Sequence, residues 1–341
     1  MSRIRLCPSG HEVECADGET VLSALEQAGY ALPNNCRAGA CGECRIRVLS
    51  GEFDQGMVLD MALSPEEREQ GYGLMCMAKP LSPVLEIEWG SEAAGPRLFP
   101  PQEDLGFVVV DRIVRTPRIL ELRLRPLGAP MRYWPGQYLT LAPVDGSLPA
   151  RAYSIANAPR SDGEVSLQVT RVEGGATSGW IHQRLTLGER VRVCGPYGTF
   201  IGDPAAETPV LCLAAGSGLA PIMALAEAAL GRGYRQPVTL LFSARTREDL
   251  YDGGRLALWQ MRHRNFRFLP TLTRERWDGS CGRIPQLLPG LFPDLSGFSV
   301  YIAGSPEFVE QCRQAACRLG APAERIHTEG FHRQDGAVPP G

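Results

Sequence analysis

Cys36, Cys41 and Cys44 stand within the string Cys36-Arg37-Ala38-Gly39-Ala40-Cys41-Gly42-Glu43-Cys44, and Cys76 follows after thirty-one intervening residues. The spacing C-x4-C-x2-C…C is the one by which four thiolates hold a [2Fe–2S] cluster. A loop that converges three thiolates on a small inorganic core needs residues free to take positive φ, and Gly39 and Gly42 supply them. Backbone N–H groups in such a turn are expected to point at the sulfurs and stabilise the charge of the reduced cluster. The fourth ligand, Cys76, lies in the apolar run Gly73-Leu74-Met75-Cys76-Met77-Ala78, which keeps water away. Zinc would usually take two C-x2-C pairs, and only one is present. Structural buried thiols would not need the glycines.

A cluster moves single electrons, so the rest of the chain must feed it. At 341 residues there is room for two or three domains with their own cores. Hydrophobic content of 44% and charged content of 21% describe a soluble globular protein. The chain shows no signal-peptide pattern and no apolar stretch near the ~18 residues of a membrane span, so a cytoplasmic location is expected. Eleven cysteines without a secretory leader fit a reducing compartment rather than a disulfide framework. Cys7, Cys15, Cys194, Cys212, Cys281, Cys312 and Cys317 are expected to be small buried hydrophobes. Residues 1–90 carry fourteen acidic and seven basic residues, and the remainder is mildly basic. That asymmetry suits docking by complementary fields, or merely solvated faces, and the basic excess is too diffuse for nucleic acid.

The elements that position these residues fall into three units. Residues 1–92 give short strands (Ile4–Leu6, Glu12–Cys15, Cys44–Leu49, Val84–Trp89) and one helix, capped by Asp17 or Thr20 and stopped at Gly29. Residues 93–104, rich in Gly, Pro and acid, read as a linker. Residues 105–206 alternate as the short strands of a small antiparallel barrel. From 207 to 331 strand and helix alternate, as in a parallel sheet covered by helices. Residues 332–341 read as a flexible tail.

Two loops in these units have the composition of phosphate and ring sites. In the barrel, Arg151-Ala152-Tyr153-Ser154 offers a cation for a diphosphate, a ring to stack and a hydroxyl for a ring nitrogen, or simply a strand with Tyr in the core. Gly174-Gly175-Ala176-Thr177-Ser178 leads into a helix whose free N–H groups suit phosphate. The third unit opens on Val210–Ala214, then Gly216-Ser217-Gly218-Leu219-Ala220-Pro221, a strand, glycine turn and helix start. Pro221 stands where the ordinary G-x-G-x-x-G fingerprint has its third glycine.

In this order, the motifs resemble those of the reductase components of bacterial multicomponent oxygenases. In that family a plant-type ferredoxin domain is fused to a ferredoxin–NADP reductase-like module. The resemblance implies an α+β β-grasp ferredoxin domain, an antiparallel six-stranded flavin barrel and an α/β parallel-sheet nucleotide domain. It implies FAD at Arg151, Ala152, Tyr153, Ser154, Val169, Thr170, Gly175, Ala176, Thr177, Ser178 and Phe331. It implies NADH, or NADPH, at Gly216, Ser217, Gly218, Pro221, Arg245, Arg247, Asp249, Tyr251, Ala303, Gly304, Ser305 and Pro306. Glu329-Gly330-Phe331 matches the C-terminal string whose aromatic ring covers the flavin in relatives, so Ser154, Glu329 and Phe331 are the residues expected closest to the chemistry.

The chain departs from relatives at two places. Many have Cys where Ala303 stands, near the reacting nicotinamide carbon. Many have an acid where Arg247 stands, an exchange that would exchange a ribose acceptor for a partner of a 2′-phosphate. The activity implied is electron transfer from NAD(P)H through FAD and the cluster to a terminal oxygenase of the Rieske type, acting in aromatic hydrocarbon catabolism. A di-iron monooxygenase or a deoxysugar dehydrase is the alternative acceptor, and a carrier or sensor without turnover a remote one. The five histidines are expected to be core or surface residues rather than ligands. A monomer is expected of a shuttle that presents its cluster to a partner.

Overall fold

The computed structural model describes residues 1–203 and 206–332, so most of the expected C-terminal tail lies outside the described residues. The chain forms two compact units, one built on Met1–Gln102 and one on Glu103–Gly195 with Phe200–Phe331.

In the first unit the strands are β1 (Ser2–Cys7), β2 (Glu12–Cys15), β3 (Arg45–Ser50), β4 (Phe53–Asp54), β5 (Tyr72–Leu74), β6 (Lys79–Pro80) and β7 (Val84–Glu88). Its helices are α1 (Val21–Gln27) and α2 (Pro65–Glu69). A five-stranded sheet runs β2-β1-β7-β3-β5, with β1 and β7 parallel at its centre. Thr20, not Asp17, caps α1: its hydroxyl accepts from Ser23 N, and Gly29 at φ +81° ends the helix. Val21, Leu22 and Leu25 bury one stripe of α1 against Ile4, Leu6, Leu85 and Ile87. Pro96–Leu98 is no free linker. Arg97 N and Leu98 N both donate to the Gly29 carbonyl, at 2.7 and 2.9 Å, and a Cβ at Gly29 would sit 2.9 Å from Leu98 O.

The second unit opens with β8 (Gln102–Val114), β9 (Ile119–Pro126), β10 (Tyr138–Pro143), β11 (Arg151–Ser154), β12 (Val165–Thr170), helix α3 (Ala176–Gln183) and β13 (Arg190–Tyr197). β8 begins inside the stretch read as linker, and Asp104 near its start takes φ +53°. The six strands order β11-β10-β13-β8-β9-β12, and the bridge Ile155–Leu167 links the two ends into a nearly closed barrel. Then follow β14 (Val210–Ala215), α4 (Leu219–Gly231), β15 (Val238–Ala244), α5 (Gly253–Arg262), β16 (Phe266–Leu272), β17 (Ser280–Cys281), α6 (Ile284–Leu291), β18 (Ser299–Gly304), α7 (Pro306–Arg318) and β19 (Ile326–Gly330). This sheet is parallel, in the order β17-β16-β15-β14-β18-β19. Its switch point lies at β14, so loops after β14 and β18 meet at one edge.

The cysteine expectation needs correcting. Cys15, Cys212 and Cys312 are buried, but Cys281 and Cys317 are exposed. On α7 the inward stripe is Cys312, Ala315 and Ala316, and Cys317 falls on the far side of that stripe.

Candidate functional site

The four expected ligands are gathered by the first unit. The N–H groups opening α1 hold the Cys76 segment in place: Val21 N donates to Ala78 O and Leu22 N to Met75 O, each at 2.9 Å. Met75 N in turn donates to Cys44 O at 3.0 Å, which ties that segment to the cluster loop. Gly39 and Gly42 take φ +67° and +79°, and a Cβ at Gly39 would sit 2.8 Å from Met57 O. Both glycines are therefore required by the wrap of the loop.

Among the described residues no three His, Cys, Asp or Glu side chains are grouped around a single ion. Cys36, Cys41 and Cys44 share one loop, and Cys76 follows the Met75 N–Cys44 O hydrogen bond that ties its segment to that loop. Four cysteine sulfurs in the spacing C-x4-C-x2-C…C, two of them met by backbone N–H groups, are the donor set of a [2Fe–2S] cluster. The Cys41 thiol, helped by N–H groups including Ala38 and Ala40, holds Cys36 down at about 5 against the cost of burial. Ala38 N and Ala40 N each donate to Cys36 Sγ at 3.4 Å, and Cys76 N to Cys44 Sγ at 3.5 Å. Two backbone N–H groups are thus aimed at the sulfur of Cys36, where they would stabilise a thiolate ligand.

Sequence reasoning passed over Glu26. It sits on the buried stripe of α1, 3% exposed, and its carboxylate accepts from Arg37 Nη1 at 2.7 and 2.6 Å and from Asn34 Nδ2 at 3.2 Å. Burial raises its pKa while Arg37 lowers it. Arg37 itself holds φ +54° between the first two ligands. The signal was an acid among the apolar residues of a short helix.

In the second unit, β11 presents Arg151, Ala152 and Tyr153 half-buried at the edge of the barrel, followed by buried Ser154. Gly175 caps α3, and a Cβ there would meet Ser178 Oγ at 2.7 Å. Thr177 Oγ1 donates to Pro149 O at 2.7 Å, which sets the start of α3 beside the approach to β11. The first turn of α3 brings N–H groups with no partner in the helix. His182 Nε2 lies 2.9 Å from Val169 O, so this histidine fastens α3 to β12.

The loops after β14 and β18 meet as the sheet order demands. Gly216 takes φ +56°, and Pro221 falls in the first turn of α4. A Cβ at Gly218 would lie 2.1 Å from Ala303 O, so only glycine lets these two loops touch. Ala303 is fully buried, and Ser305 caps α7 by accepting from Phe308 N, with Pro306 next. β19 then delivers Glu329 and Phe331 to the same place: Ser154 Oγ donates to Glu329 Oε1 at 3.1 Å, and Phe331 N donates to Gly304 O at 2.7 Å. Glu329 is buried with Oε2 unpartnered, and burial pushes its pKa up to about 8 against the Ser154 hydrogen bond. An unpaired buried oxygen beside a half-buried ring and a strand of polar groups marks a place shaped for a ligand.

Not every expected nucleotide residue faces outward. Arg245 and Arg247 are exposed past the end of β15. Asp249 is engaged locally, accepting from Thr246 N and Oγ1 at 3.2 and 3.1 Å. Tyr251 is buried at 4% exposure, its hydroxyl 2.7 Å from Gln168 Oε1 and 2.9 Å from Gly216 O. Its hydroxyl lies beneath the glycine turn, in contact with Gly216 O.

A four-cysteine cluster loop, an antiparallel barrel and a parallel sheet meeting that barrel through Ser154 and Glu329 define an iron–sulfur flavoprotein of the pyridine-nucleotide-dependent reductase class. Family models agree along the chain: a 2Fe-2S iron-sulfur cluster binding domain over residues 4–81, an oxidoreductase FAD-binding domain over 107–201 and an oxidoreductase NAD-binding domain over 212–314. The reductase subunit of an aromatic O-demethylase from Amycolatopsis sp. is 37% identical, over 94% of this chain and 96% of that one. The reductase component of a phenol 2-monooxygenase from Pseudomonas sp. is 34% identical, over 89% and 86%. The crystal structure of an Amycolatopsis cytochrome P450 reductase superposes with a TM-score of 0.87 at 34% identity, covering 97% of this chain and 99% of that one. The chain belongs to this family of three-part reductases, oxidoreductases that use a [2Fe–2S] cluster, FAD and NAD(P)H.

Proposed function

We propose that this protein takes hydride from NADH and supplies single electrons to an oxygenase component acting on an aromatic compound. The observation that carries it is the meeting of Ser154, Glu329, Phe331 and Gly304, which joins the flavin strand, the nicotinamide loop and the C-terminal string at one point. FAD, when bound, converts a two-electron donor into a one-electron supply. The chain's part is to hold it: Arg151 and the first turn of α3 for the diphosphate, Tyr153 and Phe331 for the ring, Ser154 for a ring nitrogen. Gly216–Gly218 takes the nucleotide pyrophosphate, and Cys36, Cys41, Cys44 and Cys76 hold the cluster.

NADH is favoured by what Arg247 does. Its Nε lies 3.3 Å from Glu275 Oε1, its backbone N donates to Glu275 Oε2 at 2.8 Å, and Asp278 Oδ1 is 3.6 Å from Nη2. A 2′-phosphate seeking this arginine would meet two carboxylates already there. The working form we propose is a cytoplasmic monomer. For the acceptor, the Rieske oxygenase expected from the motifs is one reading. The likeness to a cytochrome P450 reductase supports a haem oxygenase as a second. No helix among the described residues is long and apolar enough to cross a membrane. Anaerobic titration with NADH and NADPH tests the core of this reading: flavin and cluster absorption should bleach in sequence, and NADH should do it at lower concentration. A protein that bleaches with neither nucleotide would overturn it.

A further inference from the structure

We propose that Gln168 and Tyr251 are positioning residues for hydride delivery, a buried clasp that locks the nucleotide-binding glycine turn onto the flavin barrel. The inference rests on the reductase reading above and concerns two residues buried behind the glycine turn. Gln168 lies on β12, immediately before Val169 and Thr170, and is 5% exposed. Its Oε1 accepts from the Tyr251 hydroxyl at 2.7 Å, and that one proton is shared with Gly216 O at 2.9 Å. Its Nε2 donates to Asp252 Oδ2 at 3.1 Å. One residue pair along, Thr170 Oγ1 donates to Ser217 Oγ at 2.8 Å. Gly216 and Ser217 of the turn are therefore each bonded to something anchored on β12. The far side of the clasp is also braced. Arg115, on the β8–β9 connection, lies 3.5 Å from Asp252 Oδ1 and 2.7 Å from Glu121 Oε2. Asp252 holds φ +56°, a left-handed conformation unfavourable for a non-glycine residue, which its partners sustain.

A simple packing contact would not need this. The sheet and barrel already share an apolar core in which Ile119 and Phe200 join Phe242 and Tyr251. Buried polar groups are kept where a single arrangement matters, since apolar surfaces slide and directional hydrogen bonds do not. Hydride transfer demands such an arrangement, because donor and acceptor must meet at contact distance in one orientation.

The test uses the complete protein with flavin and cluster bound, and the variants Tyr251→Phe and Gln168→Leu. Tyr251→Phe keeps the ring that packs edge-on to Phe242 at 5.4 Å. Flavin reduction at saturating NADH is followed by anaerobic rapid mixing, together with the Kd for NAD+, flavin content and melting temperature. The expected result is a fall of about tenfold to a hundredfold in the saturating rate, with Kd changed less than threefold and flavin content retained. The double variant should lose less than the product of the single losses, as bonded partners do. An unchanged saturating rate in Tyr251→Phe, or losses that follow Kd, flavin content or melting temperature, would overturn the clasp. Failure of the unaltered protein to be reduced by either nucleotide would instead overturn the function proposed above.

Discussion

Ser154 and Glu329 are 175 residues apart in the chain, yet the Ser154 hydroxyl donates to Glu329 Oε1 at 3.1 Å inside the protein, and Glu329 Oε2 has no partner. The pair joins the strand expected to carry the flavin to the strand that leads into Phe331. A carboxyl so placed favours its neutral form, because burial penalises its charge more than the Ser154 hydrogen bond stabilises it.

That neutrality has a pH signature. The folded pKa of Glu329, about 8, lies above its ordinary 4.5, so the folded state binds the proton more tightly than the unfolded one. Stability from this group is complete below pH 4.5 and is lost as pH rises toward 8, at up to about 1.4 kcal/mol per pH unit. Glu329→Gln should flatten this slope while leaving the cluster spectrum unchanged. Denaturant midpoints of both proteins between pH 5 and 8.5 decide it; parallel curves would show that Glu329 is ionised at neutral pH.

Nucleotide choice should respond to a residue outside the motif after β15. Glu275→Gln removes the nearer of the two carboxylates beside Arg247, leaving Asp278, and is expected to raise kcat/KM for NADPH roughly threefold to fivefold, the scale of one exposed charge pair. Arg245, Arg274 and Arg276 are exposed on the same edge. An unchanged NADH-to-NADPH ratio would mean that these arginines, not Arg247, meet a 2′-phosphate. Raising the salt concentration should shrink the effect.

Gly218→Ala would place a Cβ 2.1 Å from the Ala303 carbonyl. Backbone faces backbone there, so relief requires the turn or β18 to move. Overpacking of this kind costs about 1–3 kcal/mol, and nucleotide binding should weaken more than flavin binding. Calorimetric titration with NAD+ beside flavin content would show it.

Glu26→Ala should remove the anchor of Arg37 and leave a left-handed residue in the cluster loop without its carboxylate. Part of Arg37 reaches water, so a loss nearer 1–3 kcal/mol than the full cost of breaking a buried pair is expected. The cluster should bleach faster in the presence of an iron chelator, and Glu26→Asp should restore part of its lifetime. Equal bleaching rates in all three proteins would assign the pair to general stability alone.

With the cluster in place, Cys281 and Cys317 should be the thiols that a maleimide labels first, since both are exposed while Cys15, Cys212 and Cys312 are buried. Peptide mapping after brief labelling identifies them; early labelling at a buried thiol would contradict the packing of α7 and β14.

Several features were legible in the chain because they are made by neighbours in sequence. The cluster loop needs three cysteines and two glycines within nine residues, and the cap of α1, the β14 turn and the opening of α3 are equally local. Hydrophobic period distinguished the barrel from the parallel sheet, though β17, α6 and β19 escaped it, being short or interrupted by Pro, Gly and charge. The tertiary structure alone decided the rest. Glu26 with Arg37, Gly218 against Ala303, Ser154 with Glu329, and Tyr251 with Gln168 join residues from 11 to 175 positions apart. No local spacing encodes such pairs. They follow from the order of strands in a sheet, where β14 lies between β15 and β18 and brings distant loops to one edge. Sequence determined which groups could do chemistry; the parallel sheet and the barrel determined which of them meet.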